Sequence, residues 1–220
     1  MTEHHILPSL DYETPRWAAG YRRVAGLDEA GRGAWAGPVV AAAVVLPPGD
    51  QALLERLRGV RDSKQLTPKQ REALLEVVLG CAVAVGVGVV PPDEIDQLGI
   101  VPATRRAMVL ALEAIAPPAD YLLIDHLPLV EVALPQYSLP KGDVRVLSIA
   151  AASIVAKVSR DRMMVELAER LPGYGFDRHK GYGTAQHWAA LAALGPSSVH
   201  RLSFAPLQRL QKARLYGPSL

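Results

Sequence analysis

Short apolar runs, each ended by a turn or by an acidic residue, recur through the first part of the chain. Val24 to Leu27 leads into an acidic pair, Val39 to Leu46 stops at a Pro-Pro-Gly turn, and Tyr121 to Ile124 stops at an aspartate. A further run, Cys81 to Val90, consists largely of small and β-branched residues. Runs of this length and composition predict β-strands, and a wholly apolar run predicts a strand that is buried on both faces.

Helical segments are predicted between and after these strands. Thr67-Pro68 predicts the start of a helix that ends near Leu79, because Thr caps helices and Pro fits their first turn. Further helices are predicted from about residue 92 to a break near Gly99, and over residues 103–115, 146–171 and 184–194. Strands that alternate with helices predict an α/β fold, a mixed sheet flanked by helices.

A chain of 220 residues fits one large domain, or one domain with a small appendage. Residues 1–20 are polar and irregular, and we expect a loosely held N-terminal extension there. Residues 21–172 contain the predicted strands and the long helix, and we expect the main domain there. Residues 173–220 are expected to form a C-terminal helical segment.

Several protein classes are excluded or disfavoured. Cys81 is the single cysteine, which excludes an intramolecular disulfide and a cysteine-based zinc knuckle. The uncharged stretch from Ala34 to Gly49 is too short to span a bilayer, and no signal segment opens the chain. We therefore expect a cytoplasmic protein without a membrane partner.

Charge is divided unevenly along the chain, although the net charge is only +2. Residues 1–140 contain 12 Lys and Arg against 17 Asp and Glu, whereas residues 141–220 contain 12 against 5. This asymmetry is typical of a polyanion-binding surface joined to an acidic site. An ordinary solvated basic face would give the same pattern.

Acidic residues stand at the ends of two predicted strands and before the long helix. These residues are Asp28, Glu29, Asp125 and Asp143. Ligands of open α/β sheets collect outside the strand ends, so the carboxylates could surround one point, although strict alternation would send Asp28 and Glu29 to opposite faces. An all-oxygen set favours two Mg²⁺ or Mn²⁺ ions. Each aspartate taken alone is also a common cap or turn residue.

A glycine-flanked arginine, Gly31-Arg32-Gly33, directly follows the acidic region of the first strand. Such a turn lets the main chain approach a sugar–phosphate backbone, where a 2′-hydroxyl can donate and accept hydrogen bonds. Candidate phosphate contacts are Lys64, Lys157, Arg160 and Lys180, and Tyr182 is a candidate for stacking. The alternatives are solvated lysines and a half-buried tyrosine, and His179 and His187 are predicted to be structural.

In combination, these motifs resemble bacterial ribonuclease HII, a type 2 ribonuclease H. The resemblance runs from about Tyr21 to about Leu210, and the motifs occur in the family's order. The matching segments are residues 26–33, 62–64, 123–125, 141–143, 151–158 with 160–161, 179–182 and 200–204.

The resemblance implies an RNase H-like fold, with a five-stranded mixed sheet and a C-terminal helical part that grips substrate. It implies cleavage of the RNA strand of RNA/DNA hybrids, and incision 5′ of single ribonucleotides in duplex DNA, by two Mg²⁺ or Mn²⁺ ions. A monomer is expected. The implied metal ligands are Asp28, Glu29, Asp125 and Asp143, and the implied substrate-binding residues are Gly31, Arg32, Gly33, Lys64, Lys157, Lys180 and Tyr182.

Two other functions stay open at this point. A nucleic-acid-binding module with an inactive acidic site would tolerate loss of a carboxylate, whereas all four are present. A different nuclease of this fold, such as a junction resolvase, would share the acids without needing the loop around Arg32.

Overall fold

The structure is a computed structural model that describes residues 7–50 and 52–216, and the side chains of residues 213–216 are not included. Five strands and nine helices are present in these ranges. They are α1 (Glu13–Ala18), β1 (Val24–Ala30), β2 (Val39–Val45), α2 (Leu53–Arg56), α3 (Pro68–Cys81), β3 (Ala84–Val90), α4 (Pro92–Leu98), α5 (Ile100–Glu113), β4 (Tyr121–Asp125), β5 (Gln136–Leu139), α6 (Leu147–Arg170), α7 (Phe176–His179), α8 (Ala185–Leu194) and α9 (Ala205–Tyr216).

The strands form one mixed sheet in the order β3-β2-β1-β4-β5. The pairs β1–β2 and β2–β3 are antiparallel, whereas β1–β4 and β4–β5 are parallel. In the parallel pair of β1 and β4, Leu27 lies opposite Ile124. The acidic residues that follow these two positions therefore leave the sheet at the same edge.

Helices cover both faces of the sheet, and α6 and α5 lie on opposite faces. The Ala-rich half of α6 packs on β1 and β2, while α5 packs on β2 and β3. Close approach of α6 requires Gly26, because a Cβ atom there would lie 2.3 Å from the carbonyl carbon of Ser148. The α/β fold with a five-stranded mixed sheet is therefore confirmed.

The predicted strands and long helices agree with the structure to within a few residues. Thr67 caps α3 with a complete capping box, since its side chain accepts from Gln70 N and Gln70 accepts from Thr67 N. Five elements were not predicted individually. They are α1 within the expected N-terminal extension, the short α2, β5, which is an edge strand that contains polar Gln136 and Ser138, the short α7 within the predicted loop, and α9.

The prediction of a loosely held N-terminal segment is wrong for the described part of residues 1–20. Ser9 N donates to Arg145 O at 3.1 Å, and Leu147 N donates to Ser9 O at 3.0 Å. Glu13 is fully buried in α1, and its Oε1 accepts from Ser148 N at 2.8 Å. Burial raises the pKa of Glu13. The segment therefore caps the start of α6, next to the turn that contains Asp143. Residues 1–6 lie outside the described ranges.

In the described ranges, no helix combines the length and the apolar character needed to cross a bilayer.

Candidate active site

The four predicted carboxylates come from three segments that meet at one edge of the sheet. Asp28 and Glu29 lie near the C-terminal end of β1, Asp125 ends β4, and Asp143 lies in a 3₁₀ turn before α6. Asp28, Glu29 and Asp125 line a cavity of about 340 Å³. Glu29, Asp125 and Asp143 line an adjoining cavity of about 620 Å³. Asp28 and Glu29 therefore face a common space, although strict strand alternation would separate them.

The four carboxylates lie close enough for their charges to interact, and we call them the carboxylate cluster. Burial raises the pKa of Asp28 well above its usual value, and the charges of Glu29, Asp125 and Asp143 raise it further. Burial also raises the pKa of Glu29 and that of Asp143, to which the charge of Asp125 contributes in both cases. The cluster thus holds more negative charge than its own surroundings neutralise.

Hydrogen bonds fix the cluster to the backbone around it. Asp28 Oδ1 accepts from Glu29 N at 2.7 Å, and Asp125 Oδ1 accepts from Gly142 N at 2.7 Å. The second bond joins the end of β4 to the turn that carries Asp143. The sheet edge and the start of α6 are therefore held together at the position where the carboxylates meet.

Two cations already face the cluster. Arg32 Nη1 donates to Glu29 Oε1 at 3.2 Å, and Lys64 Nζ donates to Asp143 Oδ2 at 3.5 Å. The pKa of Lys64 is raised by Asp143, Asp62 and Asp28, although burial opposes this shift. Lys64 is nevertheless 77% exposed at its side chain, so it remains accessible from solvent.

The donor set suits a hard divalent cation. Within the described ranges, no three His, Cys, Asp or Glu side chains are arranged closely enough to form a ready-made metal site. The donors are nevertheless all carboxylate oxygens, and Asp28 and Asp143 are only 6% and 5% exposed. Buried, mutually repelling oxygens are stabilised by added positive charge, so Asp28, Glu29, Asp125 and Asp143 fit Mg²⁺ or Mn²⁺ by their chemistry.

The loop from Gly31 to Gly33 borders the smaller cavity. Gly31 has φ +94°, and a Cβ atom there would lie 2.0 Å from Arg160 Nε. No neighbour restricts a Cβ atom at Gly33, whose main chain also lines the cavity. Close packing against Arg160 therefore requires glycine at position 31, while the exposed main chain at Gly33 is available to a ligand.

The other predicted substrate-binding residues differ in how far their side chains are engaged by groups of the protein. Lys157 Nζ donates to Asp161 at 2.6 Å and lies 5.8 Å from the centre of the Tyr182 ring, and burial lowers its pKa. Lys180 has a left-handed backbone, and its Nζ donates to Asp177 O. Tyr182 lines both the 340 Å³ cavity and a third cavity, of about 670 Å³, between α3, α6 and α7.

The interpretation of Arg160 as a phosphate contact is wrong. Its side chain is fully buried in α6 and donates to the carbonyl oxygens of Pro38, Ala36 and Lys180. The sequence contained a signal for this burial, since Arg160 stands four residues from Ala156 and from Met164 on the apolar side of the helix.

Histidines behind the Tyr182 loop are structural, as the sequence predicts. His187 Nδ1 donates to Tyr182 O at 3.0 Å, and His187 Nε2 accepts from His200 Nε2 at 3.1 Å. His200 Nδ1 accepts from Ser197 N at 2.9 Å, which fixes the tautomers of both rings. His179 stacks on His187, with ring centres 4.5 Å apart. Burial lowers the pKa of His187 and that of His200 to about 4.

Comparison with known proteins agrees with this arrangement. The family model for Ribonuclease HII matches residues 25–207. Ribonuclease HII of Roseiflexus castenholzii is 55% identical over 213 residues, which cover 97% of this chain and 95% of the relative. Ribonuclease HII of Geobacillus kaustophilus is 52% identical over 202 residues, which cover 92% of this chain and 75% of the relative.

A solved structure extends the likeness to three dimensions. The ribonuclease H2 of Pyrococcus horikoshii superimposes with a TM-score of 0.75 at 27% sequence identity. The match covers 89% of this chain and all of the other chain.

Proposed function

The chain belongs to the ribonuclease HII family of RNA/DNA-hybrid endonucleases, and we propose that it also incises duplex DNA 5′ of single ribonucleotides by two-metal-ion hydrolysis that leaves 3′-hydroxyl and 5′-phosphate ends. One observation carries the proposal. Asp28, Glu29 and Asp125 line the same 340 Å³ cavity as the loop from Gly31 to Gly33, and Asp143 lines the adjoining one, so a bound ribose and the scissile phosphate next to it can be held side by side.

Asp28, Glu29, Asp125 and Asp143 are the residues that would hold the metal ions. Two divalent ions bound there would lower the pKa of a water and offset the negative charge that develops on the leaving oxygen. The protein's own part is to keep four carboxylates fixed on two strand ends and on the turn before α6. The hydrogen bonds from Glu29 N to Asp28 and from Gly142 N to Asp125 support that fixed geometry.

The loop from Gly31 to Gly33 would recognise the 2′-hydroxyl through its main chain. A 2′-hydroxyl both donates and accepts, and it distinguishes ribose from deoxyribose. Tyr182 would stack on the sugar at the RNA-to-DNA step, since its ring borders the same cavity. The pair of contacts would select a ribonucleotide that is followed by DNA.

The duplex would continue from Tyr182 into the 670 Å³ cavity. Lys157, Lys180, Arg71, Arg162 and Arg178 line this groove. Several of these cations are paired with acids inside the protein, as in Lys157–Asp161 and Arg162–Glu72. Phosphates would therefore meet a groove of moderate positive charge, together with Lys64 on the other side of the cluster.

We also propose a cellular location, an oligomeric state and domain limits. A cytoplasmic, monomeric enzyme is proposed from the single Cys81 and the family membership. A catalytic domain over residues 21–172 and a gripping segment over 173–220 are proposed because α7 and the Tyr182 loop border the groove. Residues 217–220 of that segment lie outside the described ranges.

The test uses a DNA duplex that contains one ribonucleotide, with and without Mg²⁺. We expect a single cut 5′ of the ribonucleotide that requires the metal, and no cut in an all-DNA duplex of the same sequence. Absence of the cut, while a long RNA/DNA hybrid is still cleaved, would contradict the proposal. Equal cutting of the all-DNA duplex would instead favour a nuclease of the junction-resolvase kind, and binding without any cleavage would favour an inactive binding module.

A further inference from the structure

Two fully buried arginines, Arg160 on α6 and Arg201 before α9, lie beneath the loop that carries Gly31 to Gly33. Neither forms an ion pair with a carboxylate in the described part of the chain. Burial lowers the pKa of Arg201 to about 9 and also lowers that of Arg160. Arginine side chains in proteins remain protonated at neutral pH. Buried charges of this kind destabilise a fold unless they are well hydrogen-bonded, so the hydrogen-bond partners of each guanidinium indicate its role.

Arg160 donates to two separate segments of the chain. Its Nε donates to Pro38 O at 2.9 Å and its Nη2 to Ala36 O at 3.1 Å, both in the chain that follows the glycine-flanked loop. Its Nη1 donates to Lys180 O at 2.9 Å, two residues before Tyr182. The same guanidinium lies 5.3 Å from the centre of the Tyr182 ring. One side chain thus bonds the loop segment and also the tyrosine segment.

Arg201 donates to the main chain of residues 32–37, at the glycine-flanked loop and just after it. Its Nη1 donates to Arg32 O at 2.9 Å, and its Nε donates to Gly37 O at 3.0 Å. Its own backbone N donates to Trp35 O at 2.9 Å. Its Nη2 is buried and has no hydrogen-bond partner within the described residues. Arg201 therefore sets the position of the peptide between Arg32 and Gly33, which borders the cavity.

Main-chain hydrogen bonds alone do not hold the carbonyls of Arg32 and Lys180. Trp35 N donates to Gly181 O at 2.8 Å, which joins the two segments beyond the cavity. The carbonyls of Arg32 and Lys180 accept from the two buried guanidiniums instead. The fork of donors on an arginine can bond two or three carbonyls at fixed angles, which a lysine ammonium on its flexible stem does not reproduce.

We propose that Arg160 and Arg201 form a bracket, here called the arginine bracket, that sets the spacing between the loop of Gly31 to Gly33 and Tyr182, and so determines selectivity for a single ribonucleotide. They are positioning residues, since both guanidiniums are buried beneath the loop. The inference rests on the proposed function, in which the loop and Tyr182 recognise adjacent nucleotides. A long hybrid offers a 2′-hydroxyl at every nucleotide, so a displaced loop can still contact one. A single ribonucleotide offers only one 2′-hydroxyl, so the loop and Tyr182 must be correctly spaced to bind it.

The test compares Arg160→Lys and Arg201→Lys with Arg170→Lys, a control at an exposed position in the last turn of α6. The readout is kcat/KM on a duplex with one ribonucleotide divided by kcat/KM on a long hybrid. We expect each bracket variant to lower this ratio by about tenfold, because charge-assisted hydrogen bonds are lost, and the control to leave it unchanged. Equal losses on both substrates would overturn the proposal, since they would indicate a purely structural role.

Hydrogen–deuterium exchange of the free protein provides a second readout that needs no substrate. Arg160→Lys should accelerate exchange of the amides in residues 31–38 and in residues 180–182 together. Arg201→Lys should accelerate exchange in residues 31–38. Acceleration of neither segment, or of only one segment in Arg160→Lys, would contradict the bracket. If the wild-type chain cleaves hybrids but not single ribonucleotides, the proposed function fails, and exchange alone then decides whether the bracket joins the two segments.

Discussion

The carboxylate cluster and the arginine bracket lie on either side of the loop of Gly31 to Gly33, and both bury charge. In the cluster, the pKa of Asp28 is raised by burial and by three neighbouring acids, so its negative charge is poorly neutralised. In the bracket, the guanidiniums of Arg160 and Arg201 are bonded to main-chain carbonyls. An added cation would therefore stabilise the cluster, whereas the bracket is largely satisfied by the protein itself.

This difference separates two roles within one site. Charge that the fold leaves uncompensated is available for chemistry, because an added cation can be bound by it. Charged groups that are already hydrogen-bonded within the protein instead hold the backbone in place. Variants in the two regions should therefore fail in different ways, by loss of turnover in the cluster and by loss of selectivity in the bracket.

The largest expected effect is that of Asp28→Asn. The change removes a carboxylate oxygen that is proposed to bind metal without touching a proposed phosphate contact, so turnover should fall at least about 100-fold while hybrid binding persists. The melting temperature should hold or rise, because a buried charge with a raised pKa disappears. Cleavage assays, gel-shift binding and thermal unfolding measure these three quantities. Asp93→Asn, at an exposed position of α4, is the matched control, and near-normal turnover of Asp28→Asn would refute the metal assignment.

Tyr182→Ala should show the second largest effect, confined to selectivity. Loss of the ring removes stacking worth about 1–3 kcal/mol, so kcat/KM on a single-ribonucleotide duplex should fall about tenfold or more. Tyr182→Phe retains the ring and should stay close to wild type. A loss in the phenylalanine variant as large as that in the alanine variant would show that the hydroxyl, not the ring, makes the contact.

Low pH should reduce the stability that His187 and His200 contribute beneath the Tyr182 loop. The pKa values of His187 and His200 are lowered from 6.5 to about 4, so the unfolded chain binds more protons between these two pH values. Their contribution to the free energy of unfolding is therefore complete above pH 6.5 and declines as the pH falls toward about 4. Side-chain ¹⁵N NMR shifts report each ring directly. Protonation of either ring near pH 6.5 in the folded protein would contradict the buried network.

The smallest effect expected is that of Lys64→Ala on the salt dependence of binding. One phosphate contact fewer should reduce the slope of log K against log salt by about 0.9. Arg58→Ala, at a mostly exposed side chain before α3, should leave the slope unchanged. Affinity measured at four or more salt concentrations gives both slopes. An unchanged slope in Lys64→Ala would show that the ammonium serves Asp143 alone.

Much of the fold could be predicted from the sequence because its strands are short apolar runs with clear ends. The meeting of Asp28 with Asp125 could be anticipated from strand ends, but the parallel register of Leu27 with Ile124 was needed to place them together. The edge strand β5 lacks an apolar signature, and Glu13, in the segment expected to be loosely held, is buried through a bond from Ser148 N, 135 residues away. Nothing local to Arg201 predicts its bonds, because its partners lie more than 160 residues away.

Mn²⁺ binding to the protein alone, followed by electron paramagnetic resonance, tests most directly whether the carboxylate cluster requires an external cation. Wild-type protein and Arg160→Lys should bind Mn²⁺ with similar affinity, since the bracket is satisfied internally, while Asp28→Asn should bind at least about tenfold more weakly. Binding by Asp28→Asn as tight as that of wild type would contradict the account. So would a wild-type protein that binds no Mn²⁺ at all.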